Sequence, residues 1–271
     1  MKSSLQTSEI ALLGVCLALL ALALLGPALA QSVQHHHFAD QRAWLGIPCA
    51  MDVLSNLPFA IGGVAGLLAL RRVPALAMRG AQRSMAALFF AGLIVTAAAS
   101  SGYHLRPDDA GLAMDRLGMV LPFAGLLGLA VADRISERAG VAVGLAVMLL
   151  GPLSVAVWAQ AGNVLPWAVV QFGGMLLVCG LALRPPHAKA LGVRLGLVIA
   201  VYALAKLMEL GDHPIYELTG GLVSGHSLKH LVAAFAAWPV IDALNMARGS
   251  MHNRIRSVGQ ECHGMKLPGN A

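Results

Sequence analysis

The sequence predicts an all-α integral membrane protein with several spans, and three observations carry that expectation. Of 271 residues, 58% are hydrophobic and only 12% are charged, with a mean hydropathy of +0.72. A soluble domain carries about 25% charged residues. The apolar residues come in eight long runs, each near the length that crosses a bilayer, rather than as the periodic stripes of a soluble core. The connections between runs are short and hold most of the Gly, Pro, Arg and Asp residues.

The runs cover roughly residues 9–30, 48–70, 83–103, 112–132, 139–159, 164–183, 190–209 and 219–244. The first ends in Ala28-Leu29-Ala30, which resembles a signal-peptidase site. Its apolar region of about 20 residues exceeds the 7–15 of a signal peptide, so a retained helix is expected; cleavage would leave seven spans. The organisation expected is a transmembrane helix or signal anchor over 1–30, a helical bundle over 31–248, and a tail over 249–271 that reads as a soluble extension with Arg254, Arg256 and Lys266.

Orientation follows from the basic residues. Arg71, Arg72, Arg79 and Arg83 fill the second connection, Arg134 and Arg138 the fourth, and Arg184, Lys189 and Arg194 the sixth. The tail begins with Arg248, and the remaining connections hold only Arg42 and Arg106. The positive-inside rule places the basic set, and with it both termini, in the cytoplasm. The formal net charge of +6 is spread over these loops and the tail. No folded basic face results, which argues against a nucleic-acid partner. The four cysteines, Cys16, Cys49, Cys179 and Cys262, are far apart in sequence, so neither a disulfide framework nor a cysteine metal site is expected.

Ionisable groups inside spans are costly and therefore point to function. They cluster in three places: Ser100 to His104 at the end of the third run, Asp115 and Arg116 in the fourth, and Ser224 to His230 in the eighth. The expected topology puts all three toward one, extracytoplasmic, side. Ser100 and His104 are four apart and share a helix face, as do His226 and His230. Two histidines four apart on a helix can grip a metal ion, and they can equally be two interhelical hydrogen bonders. With His104 added at the same depth, three imidazoles and an open fourth position make the pattern of a catalytic zinc site, and Asp115 is placed to take a proton from water.

Other polar residues read as structural. His35, His36 and His37 read first as a solvated outer loop and second as an adventitious metal binder. Lys206 and Glu209 form an intrahelical ion pair. Lys229 snorkels to the interface. Asp52 and Asn56 make a polar helix contact, and Asp242 sits near the cytoplasmic end of the last span. Asp212, His213 and Glu217 lie in the loop beside the site and are candidates for groups behind the ligands.

Together, Ser100, His104, Asp115, His226 and His230 resemble the signature of the alkaline ceramidase family, within a wider superfamily of seven-helix membrane hydrolases that includes the progestin/adiponectin receptors and the haemolysin-III proteins. The eleven-residue step from His104 to Asp115 is similar to that of the ceramidase branch. The strings Tyr103-His104-Leu105-Arg106-Pro107, Asp115-Arg116-Leu117, Ser224-Gly225-His226-Ser227-Leu228-Lys229-His230-Leu231 and Asp52-Val53-Leu54-Ser55-Asn56-Leu57-Pro58-Phe59 look like a bacterial and plant subgroup. The likeness runs from about Phe38 to about Leu244.

The resemblance implies a seven-helix ceramidase-like bundle, to which this chain adds one N-terminal span for eight in total; the expected setting is a bacterial inner membrane, with the site placed toward the extracytoplasmic face by the basic loops. It implies Zn2+ on His104, His226 and His230, Asp115 as the group that deprotonates water, and Ser100 as the oxyanion donor. The implied reaction is hydrolysis of the N-acyl bond of ceramide or a related membrane lipid amide, releasing a fatty acid and a sphingoid amine. Cys49 stands where the animal enzymes have a glutamate of their calcium cluster, so Ca2+ is not carried over. The alternative is a non-catalytic receptor-like or regulatory protein with a structural zinc site. A transporter would spread its ionisable groups along a path across the membrane, whereas here they gather on one side.

Overall fold

The structure, a computed structural model, describes residues 5–264, and from residue 252 onward the backbone alone. All eight apolar runs are helical. The first is α1 (Thr7–Leu25). The second is split into α2 (Ala50–Leu54) and α3 (Leu57–Arg71) by a break at Ser55 and Asn56. Then follow α4 (Gly80–Leu105), α5 (Asp109–Arg134) and α6 (Glu137–Ala161). The sixth run is α7 (Leu165–Ala168) and α8 (Gly174–Ala182), joined through a π-helical turn over Val169–Gly173. The seventh is α9 (Leu195–Leu210), followed by the short α10 (Asp212–Leu218). The last is α11 (Gly225–Ala234) continuing into α12 (Ala237–Gly264).

Seven of these segments are long and apolar enough to cross a membrane: Thr7–Leu25, Ala50–Arg71, Gly80–Leu105, Asp109–Arg134, Glu137–Ala161, Leu165–Ala182 and Gly225–Met251. The exception, α9, has 16 residues, and at 1.5 Å each that is about 24 Å, short of a hydrocarbon core of about 30 Å. Its ends nonetheless reach both ends of the bundle. On its N-terminal side the Gly192 and Val193 amides donate to Asp133 Oδ2 at 2.9 and 3.1 Å. On its C-terminal side Asp212 accepts from Ala39 N at 3.0 Å and His226 N at 2.8 Å. Eight helical segments therefore run between the two ends.

The basic end is closed by ion pairs. Arg138 and Ser136 hold the buried Glu9 of α1. Arg79 pairs with Glu137, and Arg194 pairs with Asp242 at 2.9 Å. Buried Asp133 gathers Gln82 and the Leu191, Gly192 and Val193 amides. Every one of these charges has a partner, as groups at this depth require.

The bundle centre is the antiparallel pair α4–α5. A side chain at Gly118 would meet Ala99 Cβ at 2.7 Å, and one at Gly125 would meet the Phe89 backbone at 2.3 Å. Those two positions let the backbones close up, the usual device of packed membrane helices. Thr96 Oγ1 donates to the Gly118 carbonyl at 3.1 Å across the seam. The register so set places Ser100 and His104 beside the turn of α5 that carries Asp115.

The stretch expected as a tail from Gly249 is helical as far as Gly264, where α12 ends. The stretch contains no proline, and glycine inside a helix costs only about 1 kcal/mol. Residues 1–4 and 265–271, with Lys266, lie outside the described residues.

A candidate metal centre

His104, His226 and His230 come together from the C-terminal end of α4 and the N-terminal turns of α11. One ligand nitrogen from each lies within 4.8 Å of the other two, and all three residues are buried, a group that can hold a metal ion. The rings form a near-equilateral triangle, with centroids 4.9, 5.1 and 4.8 Å apart and planes tilted by 64–87°. His104 Nε2 and His226 Nε2 face each other at 3.3 Å. Two imidazole lone pairs aimed at a common point suit a shared cation.

The local sequence explains how α11 presents its pair. Ser224 is the N-cap and accepts from Ser227 N at 3.0 Å, which starts the helix at Gly225. His226 and His230 then lie one turn apart on the buried face. The close approach is possible because Gly225 sits against the Met208 carbonyl and the Asp212 backbone, where a Cβ would come within 2.2 Å.

The His230 ring and the His226 backbone are supported from behind, whereas His104 Nδ1 is buried with no hydrogen-bond partner among the described residues. His230 Nδ1 lies 2.8 Å from Ser55 Oγ, which donates onward to the Asp52 carbonyl at 3.1 Å. This leaves Nε2 for the centre and sets the tautomer by the hydrogen bond of the other nitrogen. The His226 backbone is held by Asp212, as its place in the adjoining loop made conceivable. Phe38, buried in the first outer loop, covers the rings of His104 and His226 at centroid distances of 4.7 and 4.5 Å. The loop is pinned by Asp40, which accepts from Arg42 Nε at 2.8 Å. Burial pushes the Asp40 carboxyl up, but the side-chain and backbone donors of Arg42 outweigh it and hold the group below the ordinary carboxylate range.

Asp52 is fully buried. Its Oδ1 accepts from Ser227 Oγ at 2.6 Å and Ser224 Oγ at 3.3 Å, and Asn56 Nδ2 donates to its carbonyl at 2.9 Å. The expected polar helix contact is present, and it clamps α2 to α11 beside the histidines.

Asp115 is not part of the three-histidine group; it is half-buried on α5 with the Ser100 hydroxyl facing its carboxylate. Arg116 points away, stacked on Trp158 at 4.2 Å and donating to Gln31 at 2.7 Å. Ser100, His104, Asp115, His226 and His230 thus lie on adjoining turns of α4, α5 and α11.

Two structural readings are corrected. Lys229 does not snorkel outward: its Nζ lies 3.1 Å from Glu209 Oε1 and 3.1 Å from His226 Nε2, because a carboxylate one helix away outbids the interface. His36 is not merely solvated, since its ring nitrogens contact Tyr103 Oη at 2.9 Å and Asp109 at 3.1 Å. The Lys206–Glu209 pair is present at 2.5 Å. The sequence reading places Ser55, Ser224 and Ser227 in its polar strings and Phe38 at the start of the likeness, but assigns none of them a role at the histidines.

No protein-family model matches this chain, and no curated protein matches it.

Proposed function

We propose that the chain is a zinc-dependent membrane lipid amidase, ceramidase-like, that hydrolyses the N-acyl bond of ceramide or a related lipid amide. The observation that carries the reading is the buried triangle of three imidazoles, with one of them backed by a serine hydroxyl, beside a carboxylate outside the three-histidine group. The donor set suits zinc: two nitrogens about 2.05 Å from a tetrahedral ion stand about 3.3–3.4 Å apart, and the His104–His226 separation is 3.3 Å. Zinc held there lowers the pKa of a bound water to about 7 and polarises a carbonyl.

In this reading Asp115 accepts the proton of the attacking water and passes it to the leaving nitrogen. Ser100, whose single proton faces the Asp115 carboxylate at rest, turns it to the acyl oxygen as charge develops there. Phe38 keeps bulk water off the outer side of the histidines. The basic set of loops lies on the cytoplasmic side of a bacterial inner membrane, and the site lies toward the extracytoplasmic face, where a lipid amide enters from the adjacent leaflet.

Asp115→Asn tests the reading. It should retain zinc and lose about 10²–10⁴-fold in turnover of a fluorescent ceramide, the size of general-base assistance. Ser100→Ala should cost no more than about 10²–10³-fold. Full activity in Asp115→Asn would refute the mechanism and favour a receptor-like protein with a structural zinc site. Loss of zinc would make Asp115 part of the metal clamp.

A further inference from the structure

Lys229 lies between the paired histidines in sequence and turns toward them in space. Its Nζ stands 3.1 Å from His226 Nε2 and 3.1 Å from Glu209 Oε1, while Glu209 Oε2 takes Lys206 Nζ at 2.5 Å. Two ammonium groups thus share one carboxylate, and Lys229 stands between that carboxylate and the histidine centre. Asp52 and Asp115 lie within its electrostatic range as well. Lys229 therefore sits at the centre rather than at the membrane interface. A metal on His226 Nε2 would take the lone pair that now faces the ammonium, freeing an N–H donor for an anionic ligand.

The reach agrees. Lys229 Nζ stands 3.1 Å from His226 Nε2, so an oxygen held against the histidines is within reach of an ammonium hydrogen bond of about 2.8 Å. Asp115 lies within electrostatic range of Lys229, so both groups serve the same space. The Ser100 hydroxyl is directed at Asp115, which leaves the ammonium as the stronger donor for an acyl oxygen.

We propose that Lys229 is a catalytic residue that donates to the acyl oxygen beside the three histidines, first as the carbonyl gains negative charge and then in the carboxylate of the released fatty acid. Glu209 and Lys206 are positioning residues that aim it. The inference rests on the amidase reading and names its product-side recognition. The C–N bond of the amide breaks and a C–O bond to water oxygen forms. The water proton passes through Asp115 to the amine, and Lys229 keeps its own protons throughout. A carboxylate with a lipid tail is therefore a ligand of the site in its own right.

The test uses full-length, zinc-loaded protein in detergent, with three readouts: zinc content, displacement of a fluorescent fatty acid by dodecanoate or by dodecanol, and ceramide turnover. Lys229→Met should keep its zinc and lose about 10–100-fold in dodecanoate affinity, the size of a charge-assisted hydrogen bond, with dodecanol unchanged. Its kcat should fall about 10²–10³-fold with little change in KM. Lys229→Arg should recover part of the dodecanoate affinity. Glu209→Gln, which keeps the ammonium but loosens its aim, should weaken dodecanoate about 3–10-fold, less than the loss of the charge-assisted bond itself, and it serves if Lys229→Met does not fold. Dodecanoate affinity within about 2-fold of wild type in a zinc-loaded variant overturns the proposal, since a lost charge-assisted bond costs more. If the wild type turns over ceramide and Lys229→Met binds dodecanoate normally, the clamp falls alone. If the wild type cleaves no amide yet binds dodecanoate through Lys229, the amidase reading falls and the clamp stands.

Discussion

Ser55→Ala isolates one support of the metal centre without touching a ligand. Ser55 Oγ lies 2.8 Å from His230 Nδ1 and hands the bond on to the Asp52 carbonyl at 3.1 Å. In the tautomer that offers Nε2 to a metal, Nδ1 is the donor and Ser55 the acceptor. Removing the partner of a buried donor costs about 1–3 kcal/mol. Loss of such an outer-sphere partner typically lowers metal affinity about 10–100-fold, or about 1.4–2.8 kcal/mol. The Asp52 carbonyl is also within hydrogen-bonding reach of the His230 ring and can take over part of the role. The expected loss is therefore at the lower end, about 10-fold. Zinc affinity measured by competition with a chelator in detergent reads it directly. Ser101→Ala is the control, because Ser101 Oγ donates to the Val53 carbonyl at 3.2 Å on the same short helix without contacting a histidine. Equal zinc affinity for wild type and Ser55→Ala, or an equal loss in Ser101→Ala, would refute the assignment of Nε2 as the ligand atom of His230.

Purified protein should hold about one zinc per chain, the count one three-histidine site demands, and alanine at both His226 and His230 should abolish it; zinc retained by the double variant would place the metal elsewhere. Single cysteines introduced at Asp109 and at Gly259 should label from opposite sides of the membrane, as the basic loops require; labelling from one side would break the eight-segment topology.

How much of this was legible in the sequence differs from element to element. The eight runs were readable because burial in lipid leaves a helix no choice but continuous apolarity. The three-histidine group was readable because a helix puts residues four apart on one face, and because charged and polar groups inside spans are too costly to be incidental. The end of α12 was not legible, since helix continuation past the membrane depends on small propensities that no apolar run announces.

The sequence by itself determined the helical membrane class, the approximate spans, and the grouping of His104, Asp115, His226 and His230 toward one end. Only the tertiary structure decided what stands behind and around them. Ser55 reaches His230 because the break between α2 and α3 turns its hydroxyl inward. Phe38 covers the histidines because the first loop is pinned by Asp40 and Asp212. Lys229 faces Glu209 and His226 rather than solvent because α9 and α11 pack side by side. Local periodicity says which residues share a face of one helix, but partners from other helices are set by crossing and register, which small residues such as Gly118 and Gly225 permit and which no single run encodes.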